Sequence, residues 1–209
     1  MPIGKFITFE GGEGLGKTTN ICFVRDYLQQ RGFKVVSTRE PGGTELAEKI
    51  RQLLLNPDAE SFSDHTELLL MFAGRAQHIK HVIQPALAQG CWVLCDRFTD
   101  ATYAYQGGGR GISLDNIAWL ENLVQGALRP DVTLLFDAPV EIGMARVTQR
   151  GAGIDRFEAE KMSFFERVRH TYLTRARQNP HRFKIINAQQ TLPEVQQTLV
   201  ALLDALIAA

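Results

Sequence analysis

The sequence predicts an α/β fold in which a mostly parallel, five-stranded sheet is flanked by helices. Five short apolar runs are each followed by a helical pattern, which is typical of strand–helix units. One run, at residues 132–136, is hydrophobic almost throughout, as expected for a strand covered on both faces. The predicted strands are residues 6–9, 35–37, 92–95, 132–136 and 184–186.

Helix boundaries are predicted from side chains that cap helix N-termini. The capping residues are Thr44 before a helix at 45–55, Asp64 paired with Glu67 in a helix at 61–89, and Ser113 before a helix at 114–124. Two further helices are predicted at residues 140–149 and 192–208. Together these elements predict helices on both sides of the sheet.

Composition and charge narrow the class of protein. The 209 residues, 44% of them hydrophobic, fit a single domain over residues 1–209 with a substantial core. Lys plus Arg and Asp plus Glu both number 23, so no net charge favours nucleic acid or a membrane surface as a partner. No apolar run reaches the roughly 18 residues of a membrane helix, and no targeting segment is recognisable at the start. We therefore expect a cytoplasmic protein with reduced cysteines.

A phosphate-binding loop is the first chemical motif along the chain. It matches G-x-x-x-x-G-K-[ST] between a predicted strand and a predicted helix. Backbone N–H groups and the helix N-terminus would hold the phosphates of ATP. Lys17 is expected to reach the β- and γ-phosphates, and the Thr18 hydroxyl to bind Mg²⁺. The predicted ATP-binding residues are Gly11, Gly12, Glu13, Gly14, Leu15, Gly16, Lys17 and Thr18.

Carboxylates end two of the predicted strands, where a second group could support the metal. Asp96 is the stronger candidate for Mg²⁺ because Arg97, a fork-shaped phosphate binder, follows it directly. Asp137 ends the next strand as the second candidate, with an ordinary solvated strand end as its alternative interpretation.

A phosphate loop alone does not distinguish kinases from ATPases and GTP-dependent switches. The chain has no Asn-Lys-x-Asp string, so the usual guanine-reading element is missing. The neutral charge disfavours a nucleic-acid motor, whose groove is normally basic. A kinase with a small-molecule acceptor is the leading interpretation, and a switch or ATPase module is the alternative from another class.

Motifs along essentially the whole chain resemble those of the bacterial thymidylate kinase family. They are Arg39-Glu40-Pro41-Gly42-Gly43-Thr44, Arg75 before Gln77-His78, Asp96-Arg97-Phe98, Ala104-Tyr105-Gln106-Gly107, and Asp155-Arg156 before Glu158. The resemblance implies a P-loop kinase that transfers the γ-phosphoryl group of ATP to dTMP, giving dTDP and ADP for dTTP synthesis. It also implies a homodimer built on helices near residues 61–89. Another nucleoside monophosphate kinase is the alternative enzyme.

The resemblance also implies an acceptor site. It places Arg97 on the 5′-phosphate with Arg39 nearby, and Arg75 on a thymine carbonyl. Tyr105 would lie beneath the deoxyribose and exclude a 2′-hydroxyl, while Glu13 would bind the 3′-hydroxyl or organise magnesium water. The base-side and loop contacts would be Thr102 and Gln106, with Met71 or Phe72 stacking on thymine, because many relatives have Phe where this chain has Met71.

A glycine-hinged basic segment at about residues 148–157 is interpreted as a lid. Lid closure excludes water and brings an arginine against the developing charge. The phosphate loop carries no arginine, so this cation is expected from the lid, with Arg156 as first choice and Arg150 as second. Leu15 stands where relatives commonly have a small residue, and it would either crowd the loop or pack outward.

Overall fold

The computed structural model describes residues 4–57, 60–149, 156–158 and 160–208. The strands are β1 (Phe6–Gly11), β2 (Val35–Arg39), β3 (Trp92–Asp96), β4 (Val132–Asp137) and β5 (Phe183–Asn187). They form one sheet in the order β2-β3-β1-β4-β5, with every neighbouring pair parallel. All five predicted strands are confirmed, and each is longer than predicted because residues at its ends, most of them polar or glycine, also join the ladder.

Helices cover both faces of the sheet. Those among the described residues are α1 (Lys17–Gln30), α2 (Glu45–Leu55), α3 (Asp64–His78), α4 (Gln84–Ala88), α5 (Thr99–Thr102), α6 (Leu114–Gln125), α7 (Val140–Gln149), α8 (Met162–Gln178) and α9 (Leu192–Ala208). One face packs α1 and α9 against Ile7 and Phe9, and the other packs Phe6 against Ile83 and Phe98. Burial on both faces confirms the expectation from the continuous apolar strands.

The long helix predicted at 61–89 is three consecutive helical segments. A π-helical segment, Ile79–Ile83, lies between α3 and α4. Pro85 follows at the start of α4, and it has no N–H to donate to the preceding turn. A local π-helical widening is a common way to accommodate such a missing bond.

The N-caps at Thr44 and Ser113 are confirmed. Their hydroxyls accept from the backbone N–H groups of Ala47 at 3.2 Å and Asp115 at 3.3 Å. The predicted pair of Asp64 and Glu67 is wrong, because Ser63 caps α3 by accepting from Thr66 N at 3.2 Å. Glu67 instead faces the interior and is 1% exposed. Among the described helices, none combines the length and apolar character that crossing a bilayer requires.

The sheet order places a crevice at the carboxyl ends of the strands. The chain passes from β1 to β2 and back to β3 on one side of β1, and then crosses to β4 on the other side. In open parallel sheets, ligands bind at this switch point. The phosphate loop and the Asp96-Arg97 pair both lie at this edge.

Candidate active site

The phosphate loop packs directly on the backbone of α7. Gly14 has φ +67°, and a Cβ atom there would lie 2.1 Å from the carbonyl oxygen of Gly143. A side chain at position 14 would therefore break this contact, which explains the glycine. Leu15 is 6% exposed and packs into the core beneath the loop. Both expectations for it, crowding the loop and packing outward, are therefore wrong.

Lys17 lies against the start of its own loop. Its Nζ atom donates to the carbonyl oxygens of Gly12 at 2.6 Å and Gly11 at 3.2 Å, and the residue is 7% exposed. Burial lowers the pKa of Lys17, and the neighbouring Arg97 guanidinium lowers it further. A phosphate anion bound next to this buried ammonium group would compensate its charge, so the attraction between them is strong.

Asp96 and Thr18 line the same cleft as Lys17. The Oδ1 atom of Asp96 is buried and has no hydrogen-bond partner among the described residues. A buried carboxylate oxygen with no donor is suited to a cation or its bound water. Within the described ranges no cluster of three or more His, Cys, Asp or Glu side chains forms a protein cage. This arrangement fits Mg²⁺, which usually binds phosphates and waters with one or two protein ligands.

Asp137, the weaker metal candidate, is engaged elsewhere. Arg169 of α8 donates to both of its carboxylate oxygens, at 2.8 and 3.0 Å. Such a bidentate pair satisfies the carboxylate. The structure therefore favours Asp96 over Asp137 beside the phosphate loop.

Arg97 lies at the junction of the cleft and a second cavity. Its guanidinium donates to Gly11 O at 2.9 Å and to Oε1 of Glu13 at 2.6 Å. The same group lies 4.9 Å above the ring of Tyr105. Arg97 and Glu13 line both the phosphate-loop cleft and the second cavity, so the two spaces share a wall.

Arg75 supplies a polar group to this second cavity. It is 3% exposed, and it donates through Nε to Glu40 at 2.7 Å and through Nη2 to Thr102 at 2.9 Å. Its Nη1 atom is buried without a partner among the described residues. A donor left unpaired in a cavity wall is costly unless a ligand oxygen accepts from it.

The other residues expected at the acceptor site do not all line the cavity. Met71, Thr102, Tyr105 and Gln106 line the cavity. Phe72 is 2% exposed and lies behind Arg75, 4.7 Å below its guanidinium, so Met71 is the one of the two that lines the cavity. Arg39 is exposed, donates to Glu48 at 3.0 Å and lines the phosphate-loop cleft.

Two arginines that sequence reasoning missed also line these spaces. Arg51 of α2 donates to Pro41 O at 2.9 Å and lines both the cavity and the cleft. Burial and the charge of Arg39 lower the pKa of Arg51. Arg146 of α7 lines the cleft and donates to Ala188 O at 3.1 Å. A signal for Arg51 existed, since it follows Ala47 by four residues on the buried face of a predicted helix.

Of the predicted lid, the two ends are described, residues 148–149 in α7 and residues 156–157. Arg150 and residues 151–155 lie outside the described residues. Arg156 donates through Nε to Leu54 O at 2.8 Å and through Nη2 to Glu67 at 2.5 Å. The first-choice lid arginine is therefore bound to α2 and α3, next to the acceptor cavity.

The fold and the site define a class of protein, the P-loop kinases with a second anionic substrate. The phosphate loop, the unpaired Asp96 oxygen and the arginine-lined cavity meet at one edge of a parallel sheet. A switch or simple ATPase does not need a second cavity that shares a wall with the phosphate site.

Comparisons with known proteins identify the family. The thymidylate kinase family model matches residues 9–199. The thymidylate kinases of Ectopseudomonas mendocina and Pseudomonas entomophila are each 59% identical, over 99% and 98% of this chain and 98% and 97% of theirs. The crystal structure of thymidylate kinase from Ehrlichia chaffeensis has a TM-score of 0.79 and 36% identity, covering 97% of this chain and 99% of that one. The chain belongs to the thymidylate kinase family.

Proposed function

We propose that this ATP-dependent kinase, which phosphorylates dTMP to dTDP for dTTP synthesis, holds its two nucleotides end to end across the shared wall at Glu13 and Arg97. The observation that carries the proposal is that these residues line both spaces at once. In-line phosphoryl transfer requires donor and acceptor to meet in this way. The reaction moves the γ-phosphoryl group to a phosphate oxygen of dTMP and releases ADP.

The donor side consists of the phosphate loop and the metal-binding pair. Residues 11–18 bind the phosphates of ATP, and Lys17 neutralises charge on the β- and γ-phosphates. Thr18 and Asp96 hold Mg²⁺, directly or through water, since Asp96 Oδ1 lacks a donor among the described residues. When bound, Mg²⁺ neutralises charge on the donor phosphates.

The acceptor side binds the 5′-phosphate at one end and the base at the other. Arg97 contacts the phosphate, and Arg39 and Arg51 add positive charge nearby. The unpaired Nη1 of Arg75 and the hydroxyl of Thr102 reach the polar edge of thymine, with Gln106 beside them and Met71 against its face. Tyr105 and Glu13 enclose the sugar.

The lid supplies the cation that stabilises the transition state, in this proposal through Arg150 or Arg156. Arg156 is held by Glu67 and Leu54 O in the described conformation. For Arg156 to reach the phosphates, lid closure must release these bonds.

A coupled assay with ATP and individual monophosphates tests the acceptor. We expect turnover with dTMP and at least a hundredfold lower kcat/KM with AMP, since a buried polar site rejects a base that leaves its groups unpaired. Comparable rates with the two would contradict the assignment. The remaining alternative, an ATPase module, predicts phosphate release from ATP that dTMP does not change.

We also propose a homodimer formed by α2, α3 and α6. These helices are neighbours, since α3 packs against both α2 and α6. Their outer surfaces carry large apolar side chains that are 46–65% exposed: Leu46, Leu53, Leu69, Trp119 and Leu123. An exposed apolar area on adjacent helices is typical of a protein interface.

Sedimentation of Leu123→Glu tests the dimer, with Ile185→Glu as the matched control. Leu123 is 65% exposed on α6, and Ile185 is 53% exposed on β5. We expect the wild type and the Ile185 variant to sediment as dimers and the Leu123 variant as a monomer. A monomeric wild type, or a dimeric Leu123 variant, would contradict this surface.

We place the reaction in the cytoplasm. Cys22, Cys91 and Cys95 are all unpaired thiols. Reduced cysteines are typical of that compartment.

A further inference from the structure

We propose that Glu10 and Tyr172 are positioning residues that hold Arg97 from two sides, which fixes it for the acceptor phosphate. The inference rests on the proposed function, in which Arg97 contacts the 5′-phosphate of dTMP. Neither residue was a candidate from its sequence context. Both are almost completely buried behind the site, at 0% and 1% exposure.

The backbone of Arg97 needs such support. Its φ of +66° is the one positive value for a non-glycine residue among the described residues. The left-handed backbone conformation is strained for a residue that carries a side chain, and the surrounding structure must hold the residue in it. The N–H of Arg97 donates to Phe9 O at 2.9 Å, and the next N–H, of Phe98, donates to Oε1 of Glu10 at 2.7 Å. The end of β1 therefore fixes two consecutive peptide groups.

The guanidinium of Arg97 is fixed through the other oxygen of the Glu10 carboxyl group. Tyr172 of α8 donates its hydroxyl hydrogen to Oε2 of Glu10 at 2.7 Å. Its oxygen accepts from Nη1 of Arg97 at 3.3 Å. A phenol has one hydrogen to donate and lone pairs to accept, so the two bonds are compatible. Glu10 thus connects to Arg97 at its backbone and, through Tyr172, at its side chain.

The cost of burying Glu10 supports a positioning role. A carboxyl group without exposure loses its hydration, and an apolar residue would pack at lower cost. Each oxygen of Glu10 bonds a group that leads to Arg97. A buried polar network with its members paired holds a unique geometry.

A second buried tyrosine–glutamate pair provides a matched control. Tyr103 donates to Oε2 of Glu121 at 2.6 Å, and Tyr103 is 6% exposed. Within the part of the chain that the structure describes, its hydroxyl bonds Glu121, and the guanidinium of Arg175 lies 3.6 Å from its ring centre. Removing its hydroxyl deletes the same chemical bond without altering the support of Arg97.

The experiment compares Tyr172→Phe, Glu10→Gln and Tyr103→Phe with the wild type by calorimetric titration of dTMP and of thymidine. Thymidine lacks the phosphate that Arg97 contacts. We expect Tyr172→Phe to weaken dTMP binding about threefold to tenfold and to leave thymidine binding unchanged, as for the loss of one hydrogen bond. In Glu10→Gln one oxygen becomes an NH2 group, which cannot accept from the Tyr172 hydroxyl or from the Phe98 N–H, so one of the two bonds is lost and we expect the same selective loss. Tyr103→Phe should bind both ligands like the wild type.

Several results would overturn the inference. Unchanged dTMP affinity in both Tyr172→Phe and Glu10→Gln would contradict it, and so would an equal loss for dTMP and thymidine, which indicates general damage. An equal selective loss in Tyr103→Phe would also contradict it. The proposed function fails separately, if the wild type does not phosphorylate dTMP or binds thymidine as tightly as dTMP.

Discussion

The hydroxyl of Tyr105 lies 2.9 Å from Oε1 of Glu13 and donates a hydrogen bond to it. Tyr105 belongs to the π-helical segment Tyr103–Gly109, and Glu13 belongs to the phosphate loop 92 residues earlier. Burial raises the pKa of Tyr105, so its hydroxyl remains a neutral donor. The bond joins the acceptor cavity to the ATP loop at the proposed position of the sugar.

Tyr105→Ala should relax the exclusion of ribonucleotides. Removing the ring opens space where a 2′-hydroxyl would otherwise collide, so the kcat/KM ratio of dTMP over ribothymidine monophosphate should fall about tenfold. Tyr105→Phe keeps the ring and is the control, with the ratio retained. If the ratio in Tyr105→Ala equals that of the wild type, the steric explanation is wrong.

Lys17→Ala should abolish most turnover without unfolding the protein. The lysine contributes charge at the phosphates, and loss of such a group typically lowers kcat by about 10²–10³. Its ammonium is buried against carbonyl oxygens, and burying a charge is costly, so its removal relieves this cost and we expect the protein to stay folded. Steady-state kinetics and thermal unfolding check this, with the exposed Lys49→Ala as the control. Wild-type turnover in Lys17→Ala would exclude the assigned role.

Elements with a strong local pattern could be predicted from the sequence. The apolar runs predicted all five strands, and Thr44 and Ser113 located two helix starts. Helix α8 was missed, although Phe164, Phe165, Val168 and Tyr172 form its buried face. Its many arginines hide that periodicity. The predicted cap at Asp64 failed because Glu67 is drawn into the interior by Gln106, Arg110 and Arg156.

The site residues, too, could be predicted where they belong to a local sequence motif. Lys17, Thr18, Asp96 and Arg97 stand in contiguous motifs at strand ends, where the sheet brings them together. The roles of Arg51, Arg146, Glu10 and Tyr172 depend on packing between distant segments, such as the 162 residues that separate Glu10 from Tyr172. No local spacing encodes these contacts.

Arg156→Ala distinguishes a catalytic role from an anchoring role. If lid closure brings Arg156 to the transferring phosphoryl group, kcat should fall about tenfold or more while dTMP affinity changes little. Its bonds to Glu67 and Leu54 O are consistent with the anchoring role instead. In that case the substitution should weaken dTMP binding and leave kcat unchanged. Steady-state kinetics measures kcat and titration measures dTMP affinity, and Arg25→Ala on α1, where the side chain is 39% exposed, serves as the control. An effect confined to KM would assign Arg156 to binding.

Glu10 should make stability fall as pH rises. Burial, with the charge of Asp100, raises the pKa of Glu10 from 4.5 to about 8. Between these values the unfolded chain has released a proton that the folded chain keeps, so the free energy of unfolding decreases with pH. Below pH 4.5 both the folded and the unfolded chain are protonated at Glu10, and the stabilising contribution is complete. It is lost progressively as the pH rises to about 8. Over the full window the effect is on the order of 3–5 kcal/mol.

Urea unfolding of the wild type and Glu10→Gln at pH 5, 6.5 and 8 measures this contribution. The variant cannot titrate at this position, so its stability relative to the wild type should increase steadily with pH, whatever fixed cost the substitution carries. The surface variant Glu45→Gln should run parallel to the wild type, because Glu45 is exposed. If the Glu10→Gln difference is the same at all three pH values, Glu10 has an ordinary pKa and is ionised in the folded protein.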